Sequence, residues 1–298
     1  MKRLALAEGA SWWGRAPERS TSRRGKGAET VAREGERQVF GRDRALPHLE
    51  VRAVDDARRI CYAPHSHATF SIGVITGGMS DYRIRGLERS VGAGATVVID
   101  PEETHVCNPR DNKSWSYRML YVDAHWMAGL RGEGQAYRGH RASLTLDPRI
   151  HWSLAAVIDT QLRRTESPLA REGAAVDFLS GLSHALGEGS PPEDRPTSGI
   201  DRAADFITDH CADPLRLEDI RAISGLSLSH FLRAFKRRHG LSPHAYQLNR
   251  RVQRGQDLLR RGRPIVEVAQ DLGFADQAHF QRVFKRLLAI TPGRYAAG

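Results

Sequence analysis

The strongest constraint on this chain is a duplication near its C-terminal end. The segment Ser227-Leu228-Ser229-His230-Phe231-Leu232-Arg233-Ala234-Phe235-Lys236-Arg237 returns 49 residues later as Asp276-Gln277-Ala278-His279-Phe280-Gln281-Arg282-Val283-Phe284-Lys285-Arg286. The offset persists beyond the segment, because Ser242-Pro243 with Tyr246 reappears as Thr291-Pro292 with Tyr295. A period of this size marks a copied supersecondary unit, and two copies make a tandem pair rather than a solenoid.

Each copy reads as two helices. A short apolar run, Leu217 to Ser224 or Ile265 to Leu272, reaches a turn at Gly225 or Gly273 before the repeated helix begins. At 100° per residue, Phe231, Ala234 and Phe235 share one face of that helix, and Phe280, Val283 and Phe284 share it in the second copy. Ser229, Leu232, Arg233 and Lys236 lie opposite, as do Ala278, Gln281, Arg282 and Lys285. This is a helix-turn-helix layout, whose second helix enters the major groove of DNA. Arg bridges O6 and N7 of guanine, and Gln bridges N6 and N7 of adenine. The residues expected to read bases are therefore Ser229, Leu232, Arg233, Gln277, Ala278, Gln281 and Arg282. Ser227, Lys236, Arg237, Lys285 and Arg286 are expected to meet phosphates, Ser227 through the helix start it caps. One such face alone reads equally well as a solvated surface. Its recurrence, on a segment (199–298) with net charge +7, argues for double-stranded DNA as the partner.

The rest of the chain is charged differently. The whole protein carries a formal +10, yet residues 46–198 sum to −2 and residues 1–45 to +5. Residues 1–45 are rich in Arg, Gly, Ser and Glu without a sustained period, which predicts a disordered basic extension with Trp12-Trp13 as its one apolar feature. Residues 46–125 break into short strands: Thr69 to Ile75, a Gly77-Gly78 turn, Ser80 to Gly86, Leu87 to Val91, Ala95 to Asp100 and Trp115 to Val122. Many short strands at close spacing predict a sandwich or small barrel. Residues 149–186 turn helical, with Leu154, Val157, Ile158 and Leu162, then Val176, Leu179, Leu182 and Leu186, at three- and four-residue steps. Residues 187–199 are Gly, Ser, Pro and Glu in the main and read as a linker. The domains expected are thus an extension (1–45), a β-rich domain with its helices (46–186), the linker, and a helical domain (200–298). In that last domain helices are expected over 200–211, 217–224, 228–239, 243–261, 265–272, 277–287 and from Pro292. Ser227 and Asp276 are their N-caps in equivalent places, and Ser242-Pro243 and Thr291-Pro292 put a cap before a first-turn proline.

Cys61, Cys107 and Cys211 form no CxxC pair, so neither a disulfide framework nor a zinc finger is expected. No apolar run approaches the ~18 residues of a membrane span, and Glu8 ends the first apolar run far short of a signal-peptide core. A cytoplasmic location without a membrane partner is the expectation.

On the residues quoted for the repeat, with Gly240-Leu241, Ile265, Val268-Ala269 and Gly273-Phe274-Ala275, residues 200–296 resemble the DNA-binding domain of the AraC/XylS family of bacterial transcription regulators. The resemblance implies two helix-turn-helix units joined by a long helix near 243–261, entering successive major grooves about 34 Å apart. Where such domains have a small residue, here Ala269, the first unit has Arg221, whose guanidinium is expected to swing out to solvent or phosphate. Pro64-His65-Ser66-His67, Gly77-Gly78 and the stretch from Val91 to His105 resemble the cupin-type barrel that precedes this domain in many members. The fold class implied is α+β with two domains: a cupin-like β-barrel with a helical extension, then an all-α tandem helix-turn-helix.

That resemblance implies a small-molecule effector, a homodimer through the helices of 149–186, and activation by contact with RNA polymerase. The effector pocket is expected at His65, His67, Tyr82, His105 and Tyr117. An HxH pair with a distant third histidine also fits a metal site. Enzymatic cupins add a carboxylate three or four residues after the pair, where this chain has Phe70 and Ser71. No metal or cofactor is therefore expected, and a regulator is expected rather than a metal-dependent oxygenase or isomerase. Paired Arg and Gln at groove-facing positions, beside a sensor-like domain, argue against a general architectural DNA protein.

Overall fold

The computed structural model describes residues 37–130, 137–187, 189 and 198–297. Its β-rich part is built on one long strand. Among the described residues there are eight strands: β1 (Arg37–Arg42), β2 (Leu49–Asp55), β3 (Phe70–Ile84), β4 (Leu87–Gly92), β5 (Thr96–Ile99), β6 (His105–Pro109), β7 (Trp115–Val122) and β8 (Leu144–Thr145). The path runs β1-β2-β7-β3-β5-β8, with β4 and β6 also on β3. The first half of β3 lies between β7 and β5, and its second half lies between β4 and β6. All of these pairings are antiparallel.

Two strands joined by a turn at Gly77-Gly78 were expected, and the structure has one strand with a register shift between Ile75 and Gly77. Gly78 sits at φ +68°, and a Cβ there would stand 2.0 Å from the Ser114 carbonyl oxygen. The glycines let the strand bend from one sheet into the other instead of reversing. A second correction concerns the extension. Residues 37–42 are an ordered edge strand, registered Val39 to Ala53, with Arg42 Nε donating to Glu50 at 2.8 Å. Six residues are too few to show a period. Trp12-Trp13, and most of the linker expected over 187–199, lie outside the described residues.

Alternation along the strands separates two cores. Tyr82, Ile84, Val97, Trp115, Tyr117 and Met119 fill the barrel interior. Phe70, Ile72, Val74, Leu120 and Val122 face the other way, against Leu154 and Ile158 of α2 (Pro148–Arg163) and Leu179 of α3 (Pro168–Leu186). Each such side chain contributes roughly 1.5–3 kcal/mol by leaving water. A one-turn helix, α1 (Ala124–Gly129), follows β7 and is capped by Asp123.

The C-terminal part is all helix: α4 (Gly199–Asp209), α5 (Leu217–Ser224), α6 (Leu228–His239), α7 (Pro243–Arg260), α8 (Ile265–Asp271), α9 (Gln277–Leu288) and α10 (Pro292–Ala297). The repeat builds two equivalent cores. Phe231, Phe235 and Tyr246 stack edge-on with centroids 5.6 and 5.5 Å apart, and Phe280, Phe284 and Tyr295 do so at 5.4 and 5.4 Å. Ile207 and Ile220 close the first core, Val268 and Leu272 the second. The two starts differ. Asp276 accepts from the His279 N–H at 2.6 Å, whereas Ser227 holds the same place without a side-chain cap bond. Arg221 also departs from expectation. It is half-buried and donates to the Leu226 carbonyl at 2.9 Å, so its guanidinium closes the turn of its own unit instead of reaching solvent.

The helix α7 belongs to both units. Its Arg251 donates from Nε to Cys211 O and from Nη1 to Gly273 O, both at 2.6 Å, and Gln247 donates to Cys211 O at 3.1 Å. The loop after α4 and the turn before α9 are thereby held by one helix face. Among the described residues no helix is long and apolar enough to cross a membrane.

Gly78→Ala is expected to lower the unfolding free energy by at least about 2 kcal/mol, because it adds left-handed strain to a backbone clash. Urea denaturation of the two proteins measures the difference.

Candidate nucleic-acid interface and ligand cavity

The predicted DNA-facing residues fall into two groups. Ser229 and Arg233 on α6, with Ala278 and Arg282 on α9, are exposed. Gln277 and Gln281 are half-buried, and Leu232 is half-buried against the first unit's core, so it presents only part of its side chain. Ser227, Lys236, Arg237, Lys285 and Arg286 are exposed. Among the described residues no carboxylate pairs with any of these lysines and arginines. Other cations of the same domain are paired: Arg238 with Asp201, Arg260 with Asp257, and Arg263 with Glu267 and Asp271. A cationic face left unpaired in both copies is available to an anion.

The C-terminal ends of α6 and α9 abut the barrel. Thr104 Oγ1 donates to His239 O at 2.7 Å, the Ala63 N–H to Arg286 O at 3.1 Å, and Arg52 to Leu288 O at 3.1 Å. The backbone of Arg286 is thus committed to the barrel while its side chain stays exposed. The N-terminal halves of α6 and α9 carry the candidate base-reading residues.

A cavity of about 600 Å³ opens between the barrel and the helices. All five predicted pocket residues line it: His65, His67, Tyr82, His105 and Tyr117. They are not equivalent. The Tyr82 hydroxyl donates to the Val98 and Ser143 carbonyls, which makes it a buried brace with only its ring toward the cavity. The Tyr117 hydroxyl meets that of Tyr62 at 2.5 Å. The three histidines stand together, with ring centroids 4.5 to 5.0 Å apart. Burial pulls all three imidazoles down, His65 and His67 well below the ordinary range and His105 to about 4; neighbouring imidazoles and then Arg52 add to this at His65 and His67. Burial likewise pushes the Cys107 thiol up to about 12, so it stays protonated and unreactive.

The far wall of the cavity was not legible in the sequence. It comes from α7, through Arg250, Gln253, Arg254 and Arg260, and from Leu288 and Tyr295. Beside it lies a polar junction. Ser66, between the two histidines of the HxH pair, donates its N–H to Asn249 Oδ1 at 3.2 Å. Its hydroxyl accepts from Asn249 Nδ2 at 2.9 Å, and its carbonyl accepts from Gln253 at 3.0 Å. Arg250 pairs with Glu102 at 2.5 Å, and Ser66 Oγ donates to that same carboxylate at 3.2 Å. Only a serine between two histidines, and a polar i, i+4 pair on α7, hinted at this contact. Arg52 was also missed. It is buried, and its Nε has no hydrogen-bond partner, as is true of the Arg250 Nε.

Comparison with known proteins gives consistent matches for both parts. Residues 47–179 match the AraC-like ligand binding domain family, and residues 221–298 match a helix-turn-helix domain family. The chain is 27% identical over 249 residues to the uncharacterized HTH-type transcriptional regulator YbfI of Bacillus subtilis, covering 78% of this chain and 86% of YbfI. It is 22% identical over 243 residues to the HTH-type transcriptional activator RhaS of Klebsiella pneumoniae, covering 78% and 86%. In fold it is similar to an apo ToxT variant from Vibrio cholerae, with a TM-score of 0.56 at 14% identity over 84% of this chain and 97% of ToxT.

The depressed histidines predict acid sensitivity. The unfolded chain takes up protons near the ordinary value of 6.5, while folded His105 resists them until about pH 4. Stability is therefore complete above pH 6.5 and falls as pH drops toward 4, by on the order of 3 kcal/mol for His105 alone. Unfolding measured across that range is expected to show the loss, with a shallower slope for His105→Gln.

Proposed function

Since the chain belongs to the AraC family of DNA-binding transcription regulators, we propose that it changes promoter activity when a small molecule occupies the cavity between barrel and α7. One observation carries this reading: the loop bearing two cavity histidines is hydrogen-bonded, through Ser66, to the helix shared by both helix-turn-helix units. A ligand that moves His65 or His67 must strain or release those bonds. A ligand can shift the equilibrium between two states only by its difference in affinity for them, and the junction offers such a difference.

The cavity walls support an effector with an apolar or aromatic body and an anionic group. Tyr62, Trp115, Tyr117 and Met119 supply the former surface, and the arginines of the cavity lining, Arg52 and Arg254 among them, favour the latter. ToxT, which shares the fold, has been crystallised with an unsaturated fatty acid bound.

In this reading residues 46–186 sense the effector, residues 200–298 bind DNA, and the chain itself catalyses nothing. Arg233 and Arg282 read guanines, the two glutamines and Ser229 add polar contacts, and Leu232 and Ala278 add apolar ones. Ser227, Lys236, Arg237, Lys285 and Arg286 hold phosphates. The exposed Trp152 and Leu169 on α2 and α3 support a homodimer through these helices, and the activator RhaS supports a positive action on RNA polymerase.

In gel-shift assays on the protein's own upstream region, Arg233→Ala and Arg282→Ala are each expected to weaken specific binding about 10- to 100-fold. Lys236→Ala is expected to weaken binding to every sequence and to reduce the salt slope by about 1. Undiminished specific binding in both arginine variants would refute the assigned face. Asn249→Ala, which touches no DNA-facing residue, is expected to raise hydrogen exchange at Ser66 and to alter DNA affinity. If exchange rises while affinity stays unchanged, α7 does not transmit the state of the cavity.

A further inference from the structure

We propose that His65, His67 and His105 bind one divalent transition-metal ion of the zinc type, with its remaining coordination positions open to the junction cavity. The missing carboxylate after the HxH pair argues against the usual enzymatic ligand set. It does not argue against three imidazoles, which by themselves make a complete protein ligand set for an open zinc site.

The geometry is largely prepared. One potential ligand atom from each histidine lies within 4.8 Å of the other two. In a tetrahedral site with metal–nitrogen bonds near 2.0–2.1 Å the nitrogens stand about 3.4 Å apart, so each ring has to move by only about 1 Å. Two of the rings are already fixed. His65 and His105 are joined across a β-bridge by two backbone hydrogen bonds, His65 N–H to His105 O at 3.2 Å and His105 N–H to His65 O at 2.9 Å.

The outer hydrogen bonds select the ligating nitrogen. A carbonyl oxygen only accepts, so His65 Nδ1–H donates to Ala63 O at 2.8 Å and His105 Nδ1–H to Glu103 O at 3.0 Å. In the neutral ring this leaves the Nε2 lone pair unprotonated. Donation of the second ring nitrogen to a backbone carbonyl is the arrangement that orients metal-bound histidines. His67 is half-buried, and among the described residues no protein group hydrogen-bonds its ring. It is free to complete the set.

The donors also define the ion. Three neutral nitrogens suit zinc, cobalt, nickel, copper or iron, and offer nothing to magnesium or calcium, which take oxygen. With no carboxylate among the ligands the site keeps the full positive charge of the ion. Arg52, whose charge reaches His65 and His67, adds to it. An anionic donor, such as a carboxylate or thiolate of a small molecule, is then the favoured occupant of the open position. The metal site shares its cavity with the effector reading above but does not rest on it, because the ion binds without effector or DNA.

Untagged full-length protein, stripped with a chelator and dialysed, is titrated with Co²⁺, whose visible absorption reports coordination number. The expected result is one equivalent of Co²⁺ with the strong bands of a four- or five-coordinate ion, displaced by Zn²⁺. His67→Gln and His105→Gln are each expected to weaken binding at least about tenfold and to abolish those bands. His125→Gln, an exposed histidine outside the cavity, is expected to change neither. If His105→Gln fails to fold, as judged by circular dichroism, the half-buried His67 decides alone. Failure to bind Co²⁺, or binding of equal strength and spectrum in His67→Gln, overturns the proposal.

Discussion

The structure depends on a helix that buries polar side chains beside its apolar ones. In α7, Gln247, Asn249 and Arg251 are all buried, and Arg250 and Gln253 are half-buried. Buried polar groups must find partners or cost on the order of 1–3 kcal/mol each. Here the partners are backbone groups, a hydroxyl and the Glu102 carboxylate of other elements. Gln247 and Arg251 turn toward the loop after α4 and the turn before α9. Asn249, Arg250 and Gln253 turn toward the barrel. Apolar contacts alone would let these bodies slide over one another, whereas donors matched to fixed carbonyls set one register.

Two consequences follow for function. The loop after α4 in the first unit and the turn before α9 in the second are held by the same residue, Arg251, which bridges Cys211 and Gly273. And the barrel meets α7 beside its own cavity, where Ser66, between the two cavity histidines, bonds Asn249 and Gln253 of the helix shared by both units. The backbone and hydroxyl of Ser66 are both engaged by α7, and the hydroxyl also donates to Glu102. The C-terminal ends of α6 and α9 rest on the barrel through their backbone, while Lys236, Arg237, Lys285 and Arg286 near those ends keep exposed side chains. Sensor and reader thus touch along one seam.

Legibility in the sequence followed the range of the interactions. Helix limits, turn glycines and the two aromatic triads are set by residues within a few turns of each other, and the 49-residue echo made them readable twice. Where a contact was long-range, local reading failed. Gly77-Gly78 looked like a turn because two glycines usually are one; their role as a bend depended on β5, β7, β4 and β6 supplying partners from both sides. Residues 37–42 looked structureless because a six-residue edge strand gains its order from β2. Arg221 was expected to leave its unit because an arginine there is too large for close helix packing. It stays because the Leu226 carbonyl at the turn accepts a hydrogen bond from its guanidinium.

By itself the sequence determined the tandem helix-turn-helix, the residue types on its outward faces, and the β-rich character of the preceding part. Those follow from periodicity and from the chemistry of side chains, which are local. Only the tertiary structure decided how closely His65, His67 and His105 approach one another, that the cavity is walled by α7, and that Asn249 closes on Ser66 across 183 residues of chain. Such pairings depend on how two cores are placed against each other. No periodicity records that placement, because the buried polar groups that fix it are single residues with partners far away in the chain.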